Sequence, residues 1–138
     1  MNNSQSPPNI LVDSHVHIHE CFALSDVLDS SLQNFQTAAH KANISSSQYL
    51  GVLILTEIGK NSCFQKISGH FENGHSLEDS DWTFQKTHES ESLYAHHASG
   101  NKVLLLAGHQ VVTQENIEVL SIISDQLGIN LSRENSLG

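Results

Sequence analysis

Positive charge is scarce in this chain: six lysines and arginines stand against fifteen aspartates and glutamates, a formal net charge of −9. A surface dominated by one sign repels phosphate backbones, which excludes nucleic acid as a bulk ligand. It leaves room for a small phosphorylated molecule held through metal ions, because the ions bring the positive charge. Cysteine is almost missing too. Cys21 and Cys63 are far apart and form no Cys-x-x-Cys pattern, so no disulfide framework is indicated and a reducing cytoplasm is the expected compartment. Long apolar runs are absent, with nothing near the roughly 20 residues that span a bilayer. Both prolines fall in residues 1–9, a polar leader without the apolar centre of a signal peptide. The 138 residues suffice for one domain with a real core, and no repeat or low-complexity tract divides them.

Histidine, by contrast, is plentiful. Protonating all ten would move the formal charge from −9 to +1, a swing that would affect solubility below about pH 6.

Ile10-Leu11-Val12 opens a short strand that runs into Asp13-Ser14-His15-Val16-His17. Ser25-Asp26 reads as an N-cap, and Leu24, Val27, Leu28, Leu32, Phe35, Ala38, Ala39 and Ala42 follow helical spacing. The pattern predicts one long helix over about 26–42, with His40 and Lys41 at its negative end. Leu50 to Thr56 is a nearly continuous apolar run, as in a parallel strand covered on both faces. Strand, helix and strand make a βαβ unit with a right-handed crossover. Residues 59–81 read as a long irregular excursion. Trp82-Thr83-Phe84 and Leu93-Tyr94-Ala95 read as short strands, and Lys102 to Ala107 as a third buried strand, with Gly108 as a bend before Gln110. Residues 116–127 fit either a helix capped by Thr113 or an Ile/Val-rich strand. Ser132-Arg133-Glu134-Asn135 looks like a helix start with almost nothing after it, which suggests a chain that stops early.

Side chains alternate faces along a strand, which predicts Asp13, His15, His17 and His19 on one side and Ile10, Val12, Val16 and Ile18 on the other, toward a helix layer. Two imidazoles about 7 Å apart along one strand face converge on a metal when their rings tilt inward. The plain alternative is a pair of surface histidines in a His-rich chain. The Ile-Leu-Val-Asp lead-in favours the metal reading and places the pair at the C-terminal end of a strand, where barrels and open sheets put their sites. For His70, His75, His88, His96 and His97, solvent exposure is the better reading. Cys21 and Cys63 have no adjacent base to make either a nucleophile, and Trp82 and Phe84 read as core.

Leu11-Val12-Asp13-Ser14-His15-Val16-His17 resembles the first motif of the PHP (polymerase and histidinol phosphatase) domain, and also the Asp-x-His-x-His opening of amidohydrolases. Gly51 to Glu57 is similar to the PHP strand that ends in Thr-Asp-His. Ala107-Gly108-His109-Gln110-Val111 is similar to the family's Pro-Gly-Ile-Glu-Ile, and Glu118-Val119-Leu120 falls where it often has His-x-Leu, which favours a strand over 117–123. The resemblance spans about residues 10–123. The chain also departs from the family: Glu57 stands for its Asp, Ile58 for its His, Gln110 for a metal-ligating Glu and Glu118 for a His.

The resemblance implies an α/β fold, a partial (β/α) barrel with parallel strands and one long helix. Residues 1–9 would be a leader, 10–131 the N-terminal half of the barrel, and 132–138 the start of a truncated helix. It implies a divalent metal, zinc or manganese, on His15, His17, Glu57 and Glu118, with Asp13, His19, His109 and Gln110 nearby. Gln110 is neutral, so one ion replaces the family's closely spaced cluster. The expected activity is metal-dependent hydrolysis of a small phosphoester, weak or absent in this chain alone. A non-catalytic metal-binding or regulatory module and an amidohydrolase-like C–N hydrolase are the alternatives. No residue is assigned as nucleophile or base. No membrane partner is expected, and open sheet edges would allow self-association.

Overall fold

The computed structural model describes residues 9–18, 24–45, 48–57, 63–70, 76–77 and 79–122. The elements are β1 (Asn9–Val16), α1 (Leu24–Lys41), β2 (Tyr49–Glu57), α2 (Cys63–His70), β3 (Trp82–Lys86), β4 (Ser92–His97), β5 (Lys102–Val112) and β6 (Glu118–Ile122). The class is α/β, with one open mixed sheet in the order β1-β2-β5-β4-β3. β1, β2 and β5 run parallel, while β3, β4 and β6 are antiparallel to their neighbours. Gly108 and His109 pair with β2 and also with β6. A strand has two edges, so β6 must lie on the edge that β4 occupies farther down. β4 and β6 therefore follow one another along one side of β5.

α1 forms for the reasons its spacing predicts. Leu24, Leu28, Leu32, Phe35 and Ala39 line one stripe and are buried. The helix begins at Leu24, so Ser25 and Asp26 belong to its first turn instead of capping it. It stops at a Schellman cap, in which Ile44 N–H reaches the Ala39 carbonyl at 2.8 Å and Asn43 N–H the His40 carbonyl at 3.1 Å. Asn43 supplies the left-handed residue this cap requires, with φ 57°. α1 lies close on β2: a Cβ built on Gly51 would stand 2.6 Å from Phe35 Cδ2, so only glycine allows this approach.

The stretch expected to be irregular contains α2, whose Cys63, Phe64 and Ile67 join the same core. That core holds Leu53, Leu55, Val103, Leu105, Ala107, Leu93, Ala95, Trp82 and Phe84, the residues of one sheet face. Trp82 and Phe84 are core, as expected, and the Trp82 indole N–H donates to Asp29 Oδ1 at 2.7 Å, tying β3 to α1. Both helices thus pack on one side of the sheet. The opposite face carries Ile10 and Val12, which are exposed, buried Val52 and Ile54, and half-buried Leu104 and Leu106. Among the described residues no helix covers it.

Some further expectations need correction, and one ambiguity is resolved. β5 runs unbroken through Gly108 to Val112. Residues 118–122 form the strand that the resemblance favours; only the alternative helix, capped by Thr113, falls, since the Thr113 hydroxyl accepts from Ile117 N–H in a tight β5–β6 turn where Asn116 takes φ 63°. β1 is an edge strand, largely exposed, and not a buried one. The leader residues 1–8 and the helix start at 132–135 lie outside the described residues.

Candidate metal centre at the C-terminal rim

The parallel strands deliver their C-terminal ends to one rim of the sheet. There Val16 pairs with Leu55, and Glu57 with His109. The approach of β1 to this rim is irregular. Asp13 opposes Leu53 but Val16 opposes Leu55, so three steps along β1 match two along β2. An extra residue of this kind inverts the alternation beyond it. Before the slip Leu11 turns to the core, while Ile10 and Val12 are 60% and 52% exposed; after it Val16 and Ile18 turn to the core. The simple alternation expected for this strand is therefore wrong on two counts. Ile10 and Val12 do not face the helix layer, and Asp13 does not share a face with His15 and His17.

The slip places His15 and His17 on the helix-free face, side by side. Their Nε2 atoms are 2.9 Å apart, and the rings meet edge to face with centroids 4.7 Å apart. With opposite tautomers one ring donates to the other; with both lone pairs turned outward the two nitrogens present adjacent ligands to an ion. Both side chains are exposed. Asp13 Oδ1 accepts the His15 backbone N–H at 3.3 Å, which holds the turn of chain at the slip. Thr56, fully buried on β2, donates to the Val16 carbonyl at 3.2 Å and pins the strand just past it.

The other expected ligands are more scattered. Gln110 alternates onto the same face as the histidines, since its neighbour Gly108 pairs with Thr56. It is on β5, two strands from β1 and so roughly 10 Å away across the sheet. Gln110 is 8% exposed, and its Oε1 makes no hydrogen bond. Glu118 pairs opposite Val112 at the far end of β5 and is exposed. Position 57 shares the alternation of Leu53 and Leu55, the helix-bearing side, and its side chain lies outside the described residues, as do His19 and Ile58. His109 also alternates onto the helix side. Among the described residues no third His, Cys, Asp or Glu joins His15 and His17.

Of the other histidines, His88 is exposed in the β3–β4 turn. His96 and His97 face opposite ways, as adjacent strand residues must: His96 Nε2 is 2.9 Å from Gln85 Oε1, and His97 stacks edge-on against Trp82. Residue-type reasoning passed over Glu91. It is buried just before β4, in the alternation of Leu93 and Ala95, with its Oε1 3.8 Å from His109 Nε2. That alternation was its signal. No helix among the described residues is long and apolar enough to cross a membrane. Compared with protein-family models, curated proteins and solved structures, the chain matches none.

Proposed function

We propose that His15 and His17 hold one divalent metal, zinc or manganese, in a PHP-type barrel of which β1, β2 and β5 are the parallel strands, and that the site serves hydrolysis of a small phosphoester. The observation that carries this reading is the 2.9 Å approach of the two Nε2 atoms at the C-terminal rim. Two nitrogens bound at about 2.05 Å stand roughly 2.9 Å apart at a right angle and roughly 3.4 Å apart in a tetrahedron, so the pair fits adjacent positions on one ion with little movement. The layering agrees. With the helices of the described residues on one face, the apolar positions Ile10, Val12, Val52, Ile54, Leu104 and Leu106 are those a closing barrel would turn inward. The histidines share that inward face.

A divalent ion held by His15 and His17 would supply an acidic water and positive charge for a phosphate oxygen. The chain's own contribution is two neutral imidazoles held at a fixed angle by the slip in β1 and by the Thr56–Val16 bond. Gln110, being uncharged, does not bridge a second ion. Loss of one ion from a cluster removes several kcal/mol of transition-state stabilisation, at least about a hundredfold in rate, and turnover by this chain is accordingly slow.

Titrating zinc or manganese into wild type and a His15→Ala/His17→Ala double variant tests the site. The double variant is expected to lose the tightest binding event, and equal affinity in both proteins would refute it. A non-catalytic metal-binding module is the second reading, favoured by the lack of a third ligand among the described residues. Manganese-dependent phosphoester turnover that disappears with His15→Ala separates the two; binding without turnover leaves the module.

A further inference from the structure

On the helix-bearing side of the same rim, α2 and the adjoining ends of β4 and β5 enclose a cleft of about 170 Å³. Its walls include Phe64 and Ala107, the hydroxyl-bearing Ser68 and Ser90, and the pair Glu91 and His109. Glu91 is fixed there by its backbone, whose carbonyl accepts the Ala107 N–H at 2.9 Å. Its side chain is 10% exposed and that of His109 31%. His109 Nε2 is buried and makes no hydrogen bond, and Glu91 Oε1 lies 3.8 Å from it.

That separation is informative. A direct charge-assisted bond would bring the atoms to about 2.7–3.2 Å. Two ligands at about 2.1 Å from one ion stand roughly 3.4 Å apart in a tetrahedron and 3.8 Å apart at about 130°. At 3.8 Å the two groups lie within ion-pair range, too far apart for a hydrogen bond and within a few tenths of an ångström of shared coordination. An imidazole nitrogen with a carboxylate oxygen suits zinc and its first-row neighbours better than calcium or magnesium, which prefer all-oxygen shells. Among the described residues no third His, Cys, Asp or Glu joins the pair, so solvent in the cleft would have to complete the shell.

We infer that Glu91 and His109 form a second divalent-metal site, on the opposite face of the sheet from His15 and His17 and independent of them. It needs neither the barrel nor the hydrolase reading. Calorimetric zinc titrations of wild type, His15→Ala/His17→Ala, Glu91→Gln, His109→Gln and the combined variant test it. The wild type is expected to take up one more zinc ion than the Glu91→Gln or His109→Gln protein, or to bind that ion about tenfold tighter or more. The His15→Ala/His17→Ala protein is expected to keep this event, so each site fails or survives by itself. Circular dichroism confirms that each variant is folded. His109→Gln, at the more exposed member, reports on the site if Glu91→Gln disturbs packing. Unchanged stoichiometry and affinity in a folded Glu91→Gln or His109→Gln protein would overturn the inference and leave a bridging water in the gap.

Discussion

Replacing Gln110 by glutamate joins the fold to the proposed chemistry. The amide is 8% exposed and its Oε1 has no partner, so a carboxylate there loses most of its hydration without gaining a bond. Burial raises a carboxyl pKa, and each unit above the ordinary value of about 4.3 costs about 1.4 kcal/mol at neutral pH. A rise of one to two units gives a loss of about 1.5–3 kcal/mol, or roughly 1–2 M in urea midpoint for a domain of this size. The sign follows from proton binding. Below about pH 4 both states of the variant are protonated and it matches wild type; the loss grows as pH rises through the unfolded value and levels off above the folded one. Metal reverses the comparison. Zinc at a hundredfold excess over its dissociation constant adds about 2.7 kcal/mol to any folded state that binds it. If the ion at His15 and His17 draws on position 110, the new anionic ligand tightens binding and the variant gains more from zinc than wild type does. Urea unfolding at pH 4 and pH 7, with and without zinc, reads all of this. Equal zinc-induced shifts in both proteins would show that position 110 does not serve the metal, and equal midpoints at both pH values would refute the burial argument.

Gly51→Ala drives a methyl group into the Phe35 ring, at 2.6 and 2.7 Å from its edge carbons. It should cost about 1–3 kcal/mol in urea unfolding, part of it recovered by Phe35→Leu in the same chain. Asp29→Ala leaves the buried Trp82 indole N–H unpaired and should cost about 1–3 kcal/mol, with a smaller loss for Asp29→Asn, which keeps an acceptor. Burial pushes the Tyr49 phenol above its ordinary value of 10.0, and its hydroxyl makes no hydrogen bond. The unfolded chain then ionises first, so stability falls as pH rises above 10 toward the folded value. Tyr49→Phe should remove that alkaline loss while leaving the neutral-pH midpoint unchanged or higher, as thermal melts across pH 8–11 would show.

Much of this architecture was written in local pattern. The stripe Leu28, Leu32, Phe35 and Ala39 allows one amphipathic helix, and the apolar runs at 50–56 and 102–107 have no stable place outside a sheet interior. α2 was hidden because only Cys63, Phe64 and Ile67 mark its stripe, in eight residues that include Ser68 and Gly69. The 116–127 segment satisfied two periods at once, and pairing with β5 decided it, a contact to which local spacing is blind. The insertion of β5 between β2 and β4 is likewise non-local. At the rim, the closeness of His15 and His17 was legible. The neighbourhood of Glu91 and His109 was not, because it depends on where α2 comes to rest.

The one-residue slip in β1 acts as a parity switch. Upstream of it, odd-numbered positions belong to the interior; downstream, even-numbered ones do. Deleting Ser14 alone would remove the extra residue and leave one regular phase, with Leu11, Asp13, Val16 and Ile18 still on the core side and Ile10, Val12, His15 and His17 still on the other. Smoothing the slip without deleting a residue would instead pull Leu11 out of the core and Ile10 and Val12 into it, which the hydrophobic effect opposes through the loss of Leu11 from its contacts. The same arithmetic governs any chain aligned to this one through the His-x-His pair. A gap placed one residue to either side assigns the core to the wrong half of the strand while every letter of the motif still matches.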